Sequence, residues 1–186
     1  MSIVHGFVSR FYCSVYHYGL GNIHYPFHFC FWCHKIIGKS TFADKLTSGQ
    51  PSKFVRINQD QLGSRKECER LCRQTLAKGK VPIIDRCNFN SSQRHYFSSI
   101  ASEAKVPVDC VVFTYPKEVC VARCEARVGH ETISRNIAAA VVGRMIRDFR
   151  PPLPNQSSDE VFRVLHIVDN FQLANEIATE YLRIDK

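Results

Sequence analysis

From Phe54 onward, apolar residues fall alternately into short runs of strand character and longer stretches of helical spacing. Phe54–Asn58 reads FVRIN, a β-rich run. Arg65–Lys78 is helical in composition, with Leu71, Thr75 and Leu76 on its inner face and Gly79 as its stop. Val81–Asp85 is a buried-type strand, and Pro82 lies near its start, where a missing N–H harms the ladder least. Ser91 or Ser92 is the expected cap of a helix reaching about Ala104. Val108–Tyr115 is the clearest strand, and Pro116 opens a helix through about Arg127 that Gly129 breaks. Asn136–Phe149 is Ala-rich and helical until Pro151 and Pro152, and a last strand (Arg163–Val168) and helix (Phe171–Leu182) follow. Upstream, Phe27–Trp32 also alternates, just ahead of a helix beginning at Ser40.

Strands alternating with helices of these lengths predict an α/β fold, a parallel sheet with helices on both faces. Ligands of such sheets bind outside the carboxyl ends of the strands. Asp60, shortly after one strand, and Asp85, at the end of another, fall there.

Composition changes this picture at one point. Residues 1–37 contain no acidic residue, only Arg10 and Lys35 as basic ones, and 10 of the chain's 21 aromatics. Five of the eight histidines lie there too (His5, His17, His24, His28 and His34). The chain therefore divides into an atypical segment, 1–37, and a domain, 38–186. The first reads as sequence standing in place of a normal first strand and loop, through a retained intron or a different start. It lacks the apolar h-region of a secretory signal. Its apolar stretch is interrupted by His17, Asn22, His24, Pro26 and His28, so it is no membrane span. The net charge of +8 over 186 residues suits a polyanionic partner, although a solvated basic face gives the same value. Nine scattered cysteines fit reduced intracellular thiols, in the nucleus or cytoplasm, better than secreted disulfides. Cys30 and Cys33 form a C-x-x-C, but a zinc knuckle needs two more placed ligands.

Gly38-Lys39-Ser40-Thr41 is the end of a phosphate-binding loop, G-x-x-x-x-G-K-S/T. Its first glycine belongs at position 33, where Cys33 stands, and the interior His34-Lys35-Ile36-Ile37 has no glycine. Backbone N–H groups converging on phosphates require close approach and often φ > 0. A β-branched residue held there costs about 1–3 kcal/mol. With a helix N-terminus to receive the anion, Gly38, Lys39, Ser40 and Thr41 are candidate nucleotide ligands, Lys39 on the phosphates and Ser40 or Thr41 on Mg²⁺. The plainer alternative is a helix start with a capping serine.

Asn58-Gln-Asp60-Gln-Leu-Gly63 and Gly79-Lys-Val-Pro-Ile-Ile-Asp85-Arg-Cys-Asn88 follow at kinase spacing, and Gly129-His-Glu131 precedes the helix with Ala138-Ala-Ala-Val-Val142. On these residues, roughly 38–182, the chain resembles the kinase domain of 5′-hydroxyl polynucleotide kinases, above all the P-loop module fused to aprataxin in plants. The resemblance implies a P-loop NTPase-type α/β/α sandwich that uses ATP and Mg²⁺. It implies phosphoryl transfer to the 5′-hydroxyl end of DNA or RNA, as in strand-break repair, with a repair partner or a fused domain. Asp60 would then be the general base, although it could equally cap the Leu62–Gly63 turn. Asp85 would hold Mg²⁺ or orient the substrate, with Arg86 and Asn88 bracing the same loop. Arg123 and Arg127, four apart on one helix face, match the family's lid over the phosphates. Arg144, Arg147 and Arg150 form a stripe that could follow a nucleic acid backbone or simply be solvated.

Two departures qualify the resemblance: the glycine-rich half of the loop is replaced, and no D-x-D-x-T phosphatase motif or histidine triad occurs. The reading is therefore a kinase impaired at its loop. Its rivals are an inactive nucleic-acid-binding module on the same scaffold and a small-molecule kinase of the same fold.

Overall fold

The computed structural model describes residues 16–17, 29–33, 38–126, 137–152 and 160–183, the first two stretches as backbone. Six strands form one sheet in the order β1-β6-β5-β2-β4-β3. They are β1 (Tyr16–His17), β2 (Phe29–Cys33), β3 (Phe54–Asn58), β4 (Val81–Asp85), β5 (Val108–Phe113) and β6 (Val164–Val168). All neighbours pair in parallel except β1, which lies antiparallel to β6 at the edge. Both strands from the aromatic-rich opening segment thus join the sheet, and β2 sits inside it between β5 and β4.

The helices are α1 (Lys39–Gly49), α2 (Gln59–Leu62), α3 (Arg65–Ala77), α4 (Ser91–Glu103), α5 (Lys117–Ala126), α6 (Ala138–Asp148) and α7 (Phe171–Arg183). Side chains alternate across a strand, so each inner strand feeds two cores. On β5, Val111 and Phe113 join Phe42 and Leu46 of α1, Cys120 of α5 and Ile177 of α7. Val108, Cys110 and Val112 instead join Cys68 and Cys72 of α3 and Phe97 and Ile100 of α4. Every residue of β4 and β5 is buried, as a strand covered on both faces must be.

Local chemistry sets the helix ends. The Asn90 side chain caps α4 by accepting from the Gln93 N–H, so the cap lies one residue before Ser91. On α3 the fully buried positions are Cys68, Cys72 and Thr75, while Leu71 and Leu76 are half-buried at the margin of the core. Unpaired cysteines behave as small hydrophobes, and spacing of four then three puts these on one stripe. Chain order reverses at β2: β4 and β3 lie to one side, β5 and β6 to the other. Ligands of open α/β sheets bind outside the carboxyl ends at such a reversal, which here is the start of α1.

Candidate functional site

Gly38 is the N-cap residue of α1, with φ 95° and no side-chain cap bond, and the first turn carries no acidic residue. That left-handed φ favours glycine, and space demands it as well. A Cβ on Gly38 would lie 2.8 Å from Tyr115 Cε2 and 3.2 Å from Phe113 Cδ1. Its carbonyl accepts from the Phe42 N–H at 2.9 Å, starting the helix. Lys39 is 6% exposed, with Nζ 3.9 Å from Cys87 Sγ beyond the end of β4. Ser40 is half-buried and Thr41 exposed. Residues 34–37, where side chains replace the loop's glycines, lie outside the described residues.

On the β3–β4 side the site is polar and tightly bonded. Asp85 is buried, and its Oδ2 accepts from Arg56 Nε (2.8 Å), Arg56 Nη2 (2.5 Å) and Asn58 Nδ2 (3.0 Å). All three bonds fall on one oxygen, which leaves Oδ1 out of this set. Arg56 Nη1 also donates to Asp44 Oδ1 of α1 at 2.7 Å, so one guanidinium ties β3, β4 and α1 together. Asn58 pairs with Asp85 in the parallel register, and Arg56, two residues back, shares its face. Arg56 and Asn58 were not among the candidates read from the sequence. The signal was there, in the polar alternate positions of FVRIN.

Asp60 is exposed in α2, at the carboxyl end of β3. Asn58 caps that short helix, its Oδ1 accepting from the N–H groups of Asp60 and Gln61 (2.8 and 3.1 Å). At the other end, the Leu62–Gly63 turn is closed by backbone, the Gly63 N–H donating to the Gln59 carbonyl at 2.9 Å. Arg86 is half-buried against the Phe97 ring, and its covered Nε and Nη1 have no hydrogen-bond partner. Burial first, and the charge of Arg65 behind it, push the Arg86 guanidinium below its usual range. Each unmet buried donor costs about 1–3 kcal/mol. Asn88 is fully buried, and its carbonyl accepts from Arg94 Nη1 at 3.4 Å. Arg94 also donates to Glu160 (2.6 and 2.8 Å) and to the Arg150 carbonyl (2.8 Å), fastening the loop after β4 to the chain leaving α6. In the basic stripe, Arg150 Nη1 donates to the carbonyls of Arg147 and Phe149 at the end of α6, while Arg144 and Arg147 are exposed.

The β5–β6 side is apolar and open. A cavity of about 240 Å³ lies between α1, α5 and α7, lined by Gly38, Thr41, Tyr115, Arg123, Phe171 and Asn175 among others. Tyr115 stacks on Phe171 at 4.5 Å between ring centroids, and the Arg123 guanidinium lies 3.7 Å over the same Phe171 ring. Such a cation on an aromatic face contributes about 0.5–2 kcal/mol. Burial pushes the Tyr115 phenol up to about 12. Lys45 donates to Asn175 Oδ1 at 3.1 Å across the rim. Arg127, the second predicted lid arginine, and the Gly129-His-Glu131 stretch lie outside the described residues.

The residues present fit a nucleotide and Mg²⁺. An uncapped helix N-terminus with no acidic residue in its first turn favours phosphate, and it opens beside the cavity. Mg²⁺ held on phosphates takes only one or two protein oxygens and keeps several waters. Ser40 Oγ, at the half-buried start of α1, and Asp85 Oδ1, outside the Arg56–Asn58 bonds, are the candidate oxygens. Among the described residues, no group of three or more His, Cys, Asp or Glu is placed to hold a metal, and no helix is long and apolar enough to cross a membrane.

Comparison with known proteins agrees with this layout. The model of the AAA domain family matches residues 63–152. Transcription factor bHLH140 of Arabidopsis thaliana is 32% identical over 130 residues, 67% of this chain. The bifunctional polynucleotide phosphatase/kinase of Schizosaccharomyces pombe is 33% identical over 76 residues, 40% of this chain. The chain spans only 14% and 18% of the lengths of these curated relatives. Among solved structures, Chaetomium thermophilum Kti12 in complex with ADP-AlF3 superposes with a TM-score of 0.58 at 13% identity, covering 83% of this chain and 96% of its own. A candidate kinase from Chloroflexus aurantiacus gives 0.57 at 19% identity, covering 87% and 99%. By fold, the chain is an α/β domain of P-loop NTPase type.

Proposed function

We propose that this domain transfers the γ-phosphoryl group of ATP to the 5′-hydroxyl end of a nucleic acid. One observation carries the reading. Buried Lys39 at the uncapped start of α1 lies beside Cys87, two residues after Asp85, at the carboxyl edge where Asp60 also stands. The partial match to a polynucleotide phosphatase/kinase supports the nucleic acid as acceptor.

In this mechanism the 5′ oxygen attacks the γ-phosphorus, the bond from that phosphorus to the β–γ bridging oxygen breaks, and ADP leaves. The hydroxyl proton passes to the Asp60 carboxylate, which exposure leaves accessible to a bulky acceptor. Lys39, with Arg123 and Arg127, offsets charge on the phosphates. The cavity beside Gly38 receives the nucleoside end, where the Arg123–Phe171 stack supplies a flat wall. Ser40 and Asp85 would hold Mg²⁺, which would supply positive charge to neutralise the phosphates. Asn88 and Arg86 serve the acceptor side.

A second reading, a nucleic-acid-binding module that no longer uses ATP, rests on the glycine-free His34-Lys35-Ile36-Ile37. Incubation with γ-labelled ATP, Mg²⁺ and a 5′-hydroxyl oligonucleotide separates the two. Labelled 5′ ends are expected, together with thermal stabilisation by ATP, about 2.7 kcal/mol at a hundredfold excess over Kd. No label and no stabilisation at millimolar ATP would favour the binding module.

A further inference from the structure

Beyond Asp60, at the same end of the sheet, Arg65 and the exposed Tyr96 ring have no role so far, and Arg86, already given to the acceptor side, lies over the ring of Phe97, the next residue of α4. Arg65 opens α3, which packs against both α2 and α4, and Tyr96 lies in the second turn of α4. The Arg65 guanidinium sits 3.7 Å over the Tyr96 ring, its Nε 2.8 Å from Glu69 Oε1. Tyr96 is 38% exposed, one of three large exposed hydrophobic residues among those described. The other two, Ile137 and Val161, belong to the segments before α6 and β6. Arg86, at the end of β4, keeps two N–H donors without an acceptor. Like charge from Arg65 reinforces the burial that already disfavours its cationic form.

Resting on the phosphoryl-transfer reading, we propose that Arg65, Tyr96 and Arg86 dock the strand that follows the accepting 5′ end. Tyr96 and the guanidinium stacked on it carry a base, and Arg86 takes a backbone phosphate. A guanidinium already flat on tyrosine is a preformed surface for another planar ring, and base stacking tolerates any sequence. The like charge of Arg65 acts against the Arg86 cation, and a phosphate bound at Arg86 offsets it. Arg86 has the leftover capacity: turning Nε and Nη1 toward a phosphate surrenders no hydrogen bond at those atoms. The dock makes the substrate a single strand of at least two nucleotides rather than a nucleoside or a small metabolite.

Binding of a fluorescent 5′-hydroxyl single-stranded DNA oligonucleotide, measured by anisotropy without ATP over a range of salt, tests this on the whole chain. Tyr96→Ala should weaken binding roughly tenfold, and Tyr96→Phe less than twofold. Arg86→Gln should weaken binding and lower the slope of log affinity against log salt by about one. Its melting temperature should hold or rise, because a buried unpaired charge is removed. A purely structural Arg86 would give the opposite pattern, lower stability with the salt slope unchanged. Unaltered affinity and slope in folded Tyr96→Ala and Arg86→Gln would overturn the dock, as would equal KM values for a nucleoside and an oligonucleotide. Either result leaves the kinase reading standing if label is transferred. Conversely, binding lost in the variants without any ATP-dependent transfer keeps the dock and ends the kinase reading.

Discussion

The two flanks of Gly38–Thr41 are built on opposite principles. Toward β5 and β6 the walls are aromatic: Tyr115 stacks on Phe171, and the Arg123 guanidinium covers the Phe171 ring, beside an open cavity. Toward β3 and β4 the site is a closed polar lattice, in which Arg56 joins Asp44 to Asp85 and Asn58 both caps α2 and braces Asp85. An aromatic wall beside a cavity offers a flat ligand a surface to stack on. A buried carboxylate held by three donors on one oxygen cannot move without losing them all. The contrast suits a site in which one flank receives a ligand and the other fixes the direction of chemistry.

Loss of chemistry should be the largest effect, and it should come without loss of structure. Asp60→Asn, at an exposed position, is expected to lower the transfer rate on the order of 10²–10⁴-fold while leaving the melting temperature and the ATP-induced shift in place. Initial-rate assays alongside thermal melts check this; a parallel fall in stability would mean that Asp60 supports the fold.

The polar flank should be the brittle one. Arg56→Ala leaves Asp85, with a side chain only 3% exposed, without its charge partner. Removing one member of a buried pair costs about 3–5 kcal/mol, and the partial exposure of Arg56 places this case at the low end. Denaturant titration should show this loss, and adding Asp85→Asn should restore part of it. Purely additive losses would break the comparison.

Gly38→Ala tests where the flanks meet. Its φ of 95° and the 2.8 Å approach to Tyr115 each oppose a methyl group, for about 1–3 kcal/mol in a thermal melt. The Tyr115 ring can swing only by disturbing its stack on Phe171, so Phe171→Ala should soften the penalty.

The aromatic flank should also carry the smallest signal, in alkali. With the folded phenol of Tyr115 raised to about 12 from an unfolded value near 10, the folded state holds its proton longer. That stabilisation is complete below pH 10 and is lost as pH rises toward 12. Tyr115→Phe should flatten the decline in melting temperature over this window. Cys68 and Cys72, also raised by burial, begin their own decline near pH 9 and remain in the variant as a reference.

The strand–helix order, the position of GKST at the start of α1 and the strand-end aspartates are legible because each depends on local pattern alone. Caps are legible in kind but not in place: Asn90 takes the role expected of Ser91 or Ser92, Asn58 caps the start of α2, and the Gln59 carbonyl rather than Asp60 closes the Leu62–Gly63 turn. Asparagine, serine and aspartate compete for the same geometry, and the backbone decides among neighbours. Arg56 stayed hidden because its meaning comes from register, with Asn58 opposite Asp85 and Arg56 on the same face. The Arg123–Phe171 stack joins residues 48 positions apart in the chain, and no local spacing encodes it.

Transfer of label from γ-labelled ATP to a 5′-hydroxyl oligonucleotide, compared between the protein, Lys39→Met and Asp60→Asn, decides whether this site is a kinase. Labelled ends that require both residues are expected, with Asp60→Asn still stabilised by ATP. Transfer unaffected by Asp60→Asn, or no transfer by a protein that ATP stabilises, would contradict that expectation.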